Sequence, residues 1–331
     1  MTIAFHNLKS VTGALLSPVM DSSGISEAAL SLKNLFSEAA AFDEMETANQ
    51  QNIPTKAGMS IAPRWAASCL NDGMRTRKFI LGIRDAIEER LKMNPGRFVT
   101  VLYAGTGPFA SLLTPLITVF TPAQLQMVLI EINPVSVHYL EKIIRHFGME
   151  DYLIELVQAD AGTYSIFDTQ QPDIVVSETM DNALQREPQV SIVANLLSQC
   201  KLNPVLIPEL IKIDVCLIGD TIKYPDAIIL LKTLIELDAE MAVRIKNNPE
   251  DITVLSPGII VIIPELPLSE YKQLVLCTTI QIFEQHSLAL NESGLTTPHI
   301  LRMIDSFKKY PVRLLFQYHM ESNPGFRVAE I

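Results

Sequence analysis

The chain has 331 residues, 48% of them hydrophobic and 19% charged, which supports one large buried core or two modest ones and excludes a disordered chain. A net charge of -11 argues against a nucleic-acid partner, which needs a basic footprint, and suits a small cationic substrate or a basic peptide. No stretch of membrane-spanning length is free of charge and proline, and no basic segment precedes an apolar run near Met1, so the expectation is a cytoplasmic protein without membrane association.

In chain order, residues 1–63 read as an N-terminal helical segment with one helix over 26–42 and a polar stretch over 44–55. Apolar positions at three- and four-residue steps predict helix over 64–93. The pattern then alternates. Strands are predicted at 98–103, 126–131, 154–158 and 173–177, and helices at 109–120, 134–147 and 190–199, with a further strand at 206–217. Strands separated by helices imply a parallel, doubly wound, Rossmann-like α/β sheet over 64–205. Beyond Gly219, runs at 254–263, 273–285 and 312–318 with proline and glycine punctuation predict a β-rich domain within 206–331. The four cysteines, Cys69, Cys200, Cys216 and Cys277, form no C-x-x-C pair, and the histidines do not cluster. Reduced thiols and no metal site are expected.

Two features carry chemistry. The strand-to-helix turn V-L-Y-A-G-T-G-P-F at 101–109 holds Gly105, Thr106 and Gly107, and a glycine turn there lets a ligand approach the backbone closely. The next strand ends in Glu131, about 25 positions on, where an acidic side chain holds a ribose diol. Both nicotinamide and S-adenosylmethionine enzymes use that arrangement. Asp160, closing V-Q-A-D on the third strand, falls beside an adenine and favours the second, although a solvated turn aspartate reads the same way. The other feature is Glu178 and Glu187, nine positions apart on a loop after a strand. Two carboxylates so placed can grip a planar, bidentate guanidinium. Glu187 also precedes Pro188 at a predicted helix start, where the helix dipole alone accounts for a carboxylate.

Three segments together resemble the protein arginine methyltransferase family, within the class I S-adenosylmethionine methyltransferases. They are C-L-N-D-G-M-R-T at 69–76, the glycine turn at 101–109, and S-E-T-M-D-N-A-L-Q-R-E at 177–187, which is similar to the family's double-glutamate loop. The likeness covers residues 65–217. It implies S-adenosyl-L-methionine as cofactor, Arg75 as the clamp for its methionine carboxylate, and Tyr103 at the family's acidic position in the glycine turn. It also implies Glu178 and Glu187 as catalytic residues that bind the guanidinium. His299, in T-T-P-H, stands nearest to the family's histidine loop and is the candidate proton acceptor. Thr179, Asp181 and Asn182 replace the family's aromatic and glycine-tyrosine positions. Asp181 and Asn182 are therefore read as contacts for the α-amino end of a small substrate. The expectation is an N-methyltransferase for a guanidino group, with free L-arginine or a related metabolite of a specialised pathway preferred over an arginine-containing protein. A methyltransferase for another amine and a non-catalytic scaffold are the alternatives. Family members work as dimers through an arm in the β domain, and 223–250, expected to be helical with Ile228, Leu231, Leu234 and Ile235 on one face, is the candidate arm of a homodimer.

Overall fold

Val99 to Ala104 is buried at every position, and so is Ile174 to Ser177. Strands apolar on both faces belong inside a parallel sheet covered on each side, and that is where the computed structural model, which describes residues 2–219, 227–247, 258–264 and 270–331, places them. The elements run α1 (Ile3–Leu15), α2 (Ser22–Ala40), β1 (Ile53–Thr55), β2 (Gly58–Ser60), α3 (Pro63–Ser68), α4 (Gly73–Met93), β3 (Val99–Ala104), β4 (Leu125–Glu131), α5 (Pro134–Phe147), β5 (Leu153–Gln158), β6 (Ile174–Ser177) and α6 (Gln189–Leu197). They continue with β7 (Val205–Ile207), β8 (Leu210–Gly219), β9 (Ile228–Leu237), α7 (Ala239–Asn247), β10 (Ile259–Ile263), β11 (Tyr271–Phe283), β12 (His286–Leu288), β13 (His299–Met303), β14 (Val312–His319) and β15 (Gly325–Glu330).

The parallel sheet has the order β5-β4-β3-β6-β7, so the chain winds one way from β3 and then returns to its other side. The reversal falls between β3 and β6, whose carboxyl ends open a crevice for a ligand. The antiparallel part comprises one sheet ordered β12-β11-β8-β9, with β13 also on β11, and a second ordered β10-β14-β15. Val312 to His319 alternates buried and exposed, as a strand with one wet face must. This is the α/β architecture with a C-terminal β-rich part that the sequence implies.

Helix boundaries follow local chemistry. Asn133 caps α5 by accepting from the Val135 amide, Pro134 occupies its first turn, and Gly148 closes it in a left-handed conformation. Asp72 caps α4 by accepting from the Arg75 amide, which fixes where Arg75 leaves the helix. At the N-terminus there are two helices where one was expected, and Phe36 of α2 packs 5.7 Å from Phe109 in the core around the parallel sheet.

Three expectations are corrected. No α-helix covers 109–120. Pro115 interrupts it, Ala110 is left-handed at φ 43°, and the segment is a turn followed by a short 3-10 helix, Thr114–Thr118. The strand expected at 206–217 is two strands split at Pro208 and Glu209, β7 in the parallel sheet and β8 in the antiparallel one. The third correction concerns the helical arm. Its 223–226 and 248–250 lie outside the described residues, as do 254–257 of the strand expected at 254–263. Within it, 228–237 is strand β9, with Asp238 accepting from the Met241 amide at the start of α7. Helix α7 packs on α6 of the same chain, burying Ala242 and Ile245, and Lys246 Nζ donates to Asn195 Oδ1 at 3.2 Å. The apolar side of that helix is thus spent within the chain.

Among the described residues no helix is long and apolar enough to cross a membrane, and no group of three or more His, Cys, Asp or Glu could hold a metal. The α7–α6 packing has a direct test. Ala242→Asp should lower unfolding free energy by about 3 kcal/mol at every protein concentration, as burial of an unpaired carboxylate demands. Urea titrations at two concentrations check it; a loss of stability seen only at high concentration would mean that α7 meets a second copy.

Candidate active site

A cleft of about 230 Å³ opens over the carboxyl ends of β3, β4 and β6. The glycine turn forms its floor. Gly105 has φ +73°, donates its amide to the Ile130 carbonyl at 2.9 Å, and carries the Thr179 methyl directly over its Cα, in the space any Cβ would need. Only glycine meets both demands. Thr106 and Gly107 complete the turn and line the cleft.

Glu131, at the tip of β4, is buried and accepts from the Gly107 amide at 2.7 Å and the Asn133 amide at 2.8 Å. Burial pushes its carboxyl above the usual range, and those amides pull it partly back. Asp160 also lines the cleft, with Oδ1 accepting from the Gly162 amide at 2.8 Å, so it is both turn cap and cleft wall. Tyr103 lies in the wall, its hydroxyl pushed up by burial.

Arg75 enters from α4. It is buried, forms an ion pair through Nη2 with Glu178 Oε2, and donates Nη1–H to the Cys69 carbonyl at 3.3 Å. Its Nε is buried without a partner. Glu178 follows directly on β6, and Glu187 reaches the same cleft from the far end of the loop. Burial pushes Glu187 up to about 7, with the Asp181 charge adding to the rise and Arg75 and Arg186 opposing it. The two glutamates therefore differ. One is paired with an internal guanidinium, and the other is pushed up to about 7 by burial.

The loop between them is strained. Ala183, Leu184 and Arg186 have φ of 55°, 54° and 60°, which non-glycine residues adopt at a cost of about 1–3 kcal/mol each. The surroundings hold it there. The Ala183 amide donates to Thr278 Oγ1 at 2.9 Å, the Tyr318 hydroxyl donates to the Leu184 carbonyl at 2.7 Å, and the Arg186 amide donates to the Pro324 carbonyl at 3.1 Å. From the other side, the β1–β2 hairpin lays the Met59 amide 2.7 Å from the Arg186 carbonyl. Gly58, at φ +144°, allows that approach, since a Cβ there would meet the Arg186 carbonyl oxygen at 2.8 Å.

Three predicted residues are not brought in. Asp181 does not line the cleft; its Oδ2 pairs with the Arg186 guanidinium and its Oδ1 caps the Asn182 amide. Asn182 turns its Nδ2 to the Thr297 carbonyl at 3.1 Å. His299 begins β13 opposite Leu276 of β11 and lies outside the cleft lining, although Gly294 and Leu295 reach it. Conversely, Thr55, Ser60 and Ile61 line the cleft unforeseen, and two short runs flanking Lys56-Ala57 and Gly58 were the signal for their hairpin.

No protein-family model matches the sequence, and no curated protein does either. Solved structures do resemble it. A crystal structure of PRMT6-SAH aligns with TM-score 0.55 at 12% identity, covering 79% of this chain and 98% of that one. A crystal structure of PRMT6 gives 0.50 at 10%, covering 74% and 94%. Arabidopsis thaliana protein arginine methyltransferase 10, in a structure described as uniquely open, gives 0.50 at 10%, covering 76% and 86%. At these identities the likeness establishes the fold, and this chain has the fold of those structures.

The Glu187 environment predicts a stability signature. Its proton affinity is raised on folding, so the folded state keeps a proton that the unfolded chain releases between the ordinary carboxylate pKa of 4.5 and about 7. The associated stability is complete below that window and falls through it as pH rises, by about 3 kcal/mol. Glu187→Gln should therefore gain stability over wild type at pH 8 but not at pH 4.5, read from urea titrations of cofactor-free protein. An equal difference at both pH values would refute the raised pKa.

Proposed function

We propose that the protein is an S-adenosylmethionine-dependent N-methyltransferase acting on a guanidino group. The observation that carries this reading is one cleft with a nucleoside-type turn on one side and two glutamates on the other. The residues fit the cofactor. The glycine turn Gly105-Thr106-Gly107 lines the space it would take, Glu131 offers a carboxylate to its ribose, and Arg75 a buried, unpartnered Nε to its carboxylate. When bound, S-adenosylmethionine supplies an electrophilic methyl group on a positive sulfur.

The chain's own groups then supply alignment and electrostatics, which is most of what an in-line displacement needs. Glu178 Oε1 and Glu187 grip the plane of the acceptor guanidinium and draw its charge toward the nitrogens that do not attack. Held so by Glu178 and Glu187, the attacking nitrogen would present its lone pair toward the methyl group that the donor would supply, the leaving sulfur keeping the electron pair of the bond it gives up. One N–H proton must leave, and with His299 outside the cleft Glu187 is the base in place to take it. The shared chemistry of the acceptor is guanidinium, whether free L-arginine, a related metabolite or an arginine side chain of a polypeptide. The contacts of Asp181 with Arg186 and of Asn182 with Thr297 remove them as a ground for preferring the free amino acid.

Incubation with methyl-labelled cofactor and either free L-arginine or an arginine-rich peptide tests the reading and separates the sources. Label on a guanidino nitrogen is expected, and Glu178→Gln and Glu187→Gln should each lower kcat by about 100-fold or more. Label carried only by a simple amine, or both variants at full rate, would reject the guanidinium assignment.

A further inference from the structure

Gln189, the first residue of α6, is 1% exposed, and a buried amide must have its bonding satisfied. Its Nε2–H donates to the Ser177 carbonyl at 2.9 Å. Its Oε1 accepts from the Thr179 amide at 3.0 Å, the Thr179 hydroxyl at 2.8 Å and the Ser177 hydroxyl at 3.1 Å. Ser177 and Thr179 are the two neighbours of Glu178. One side chain thus grips the backbone on both sides of that glutamate without touching its carboxylate. The Thr179 methyl in turn rests on the Cα of Gly105, the residue that fixes the glycine turn.

Glycine turn, Thr179 and Gln189 form a stack that spans from the proposed donor side to the proposed acceptor side. We propose that Gln189, acting through Thr179, is a positioning residue that sets the orientation of Glu178 and its distance from the Gly105 turn. The inference rests on the N-methyltransferase reading and adds to it the device that aligns donor with acceptor. Displacement of a reacting group by about 1 Å costs on the order of 100-fold in rate, so a brace at this point acts on kcat.

The test uses the full chain with Gln189→Met, which keeps volume and loses the amide, and Thr179→Val, which keeps shape and loses the hydroxyl. For Gln189→Met, kcat for guanidino methylation should fall about 100-fold, while calorimetric affinity for S-adenosylhomocysteine stays within about threefold, a difference of roughly half a tenfold step. Thr179→Ser, which keeps the hydroxyl but loses the methyl over Gly105, should recover part of the activity lost in Thr179→Val. The double variant Gln189→Met/Thr179→Val should be little worse than Gln189→Met, since both remove one contact. Wild-type kcat in Gln189→Met, or a rate loss matched by equal loss of cofactor affinity, overturns the proposal; if Gln189→Met does not fold, the Thr179 pair decides it. Hydrogen exchange at the Thr179 amide separates this failure from failure of the methyltransferase reading. Protection lost in Gln189→Met establishes the brace whatever the acceptor, and unchanged exchange there refutes it.

Discussion

The buried ion pair between Arg75 and Glu178 ties the molecule together at its cleft. Two charges taken from water are tolerable only when well paired, and removal of either partner typically costs about 3–5 kcal/mol. That requirement fixes much else. The first turn of α4 must hold still, and Asp72 does this with both oxygens, capping the helix through the Arg75 amide and binding the Ser293 hydroxyl and the Gly294 amide. The parallel sheet, the helix beside it and the 293–294 turn of the β-rich part are locked to one point. Glu178 is thereby paired from within, whereas burial pushes Glu187 up to about 7.

This asymmetry explains why nine positions of chain separate two similar side chains. Glu178 sits on regular structure, directly after a buried strand, and inherits the strand's rigidity. Glu187 is reached only through a loop with three left-handed non-glycine residues, bonded to β11, β14 and Pro324 on one side and to the β1–β2 hairpin on the other. Strain of that kind persists only where surrounding bonds over-determine the backbone. It keeps a carboxylate with few partners in a low-dielectric cleft instead of letting it relax to solvent.

Much of this was legible in the sequence, and what was not has physical causes. Strands β3 and β6 read clearly because they are buried on both faces, and α5 because Asn133, Pro134 and Gly148 mark both its ends. The glycine turn, Glu131 and the glutamate pair were visible as spaced polar residues at strand ends. The segment at 109–120 misled because its leucines kept helical spacing while Pro115 and the left-handed Ala110 denied it a continuous helix. Strand β9 was read as helix because I-I-L-L-K-T-L-I is apolar at steps of both two and three. Asp181 pairs with Arg186 five residues along, an ion pair that a residue-by-residue reading of the loop does not reveal. Gln189 carried no signal, since its role comes entirely from the backbone it meets.

The dependence of the glutamate loop on Thr278, Tyr318 and Pro324 has a bearing on biosynthesis. The parallel sheet is complete once residue 207 is made, so the Gly105 turn, Arg75 and Glu131 belong to a unit whose strands are all synthesised by then. The loop that carries Glu187 obtains its last bonds from residues more than a hundred positions later. Domains generally fold as units from the N-terminal side during synthesis. On the ribosome, then, the glycine-turn side of the cleft would have all its strands in place well before the loop that carries Glu187 could take up its final bonds.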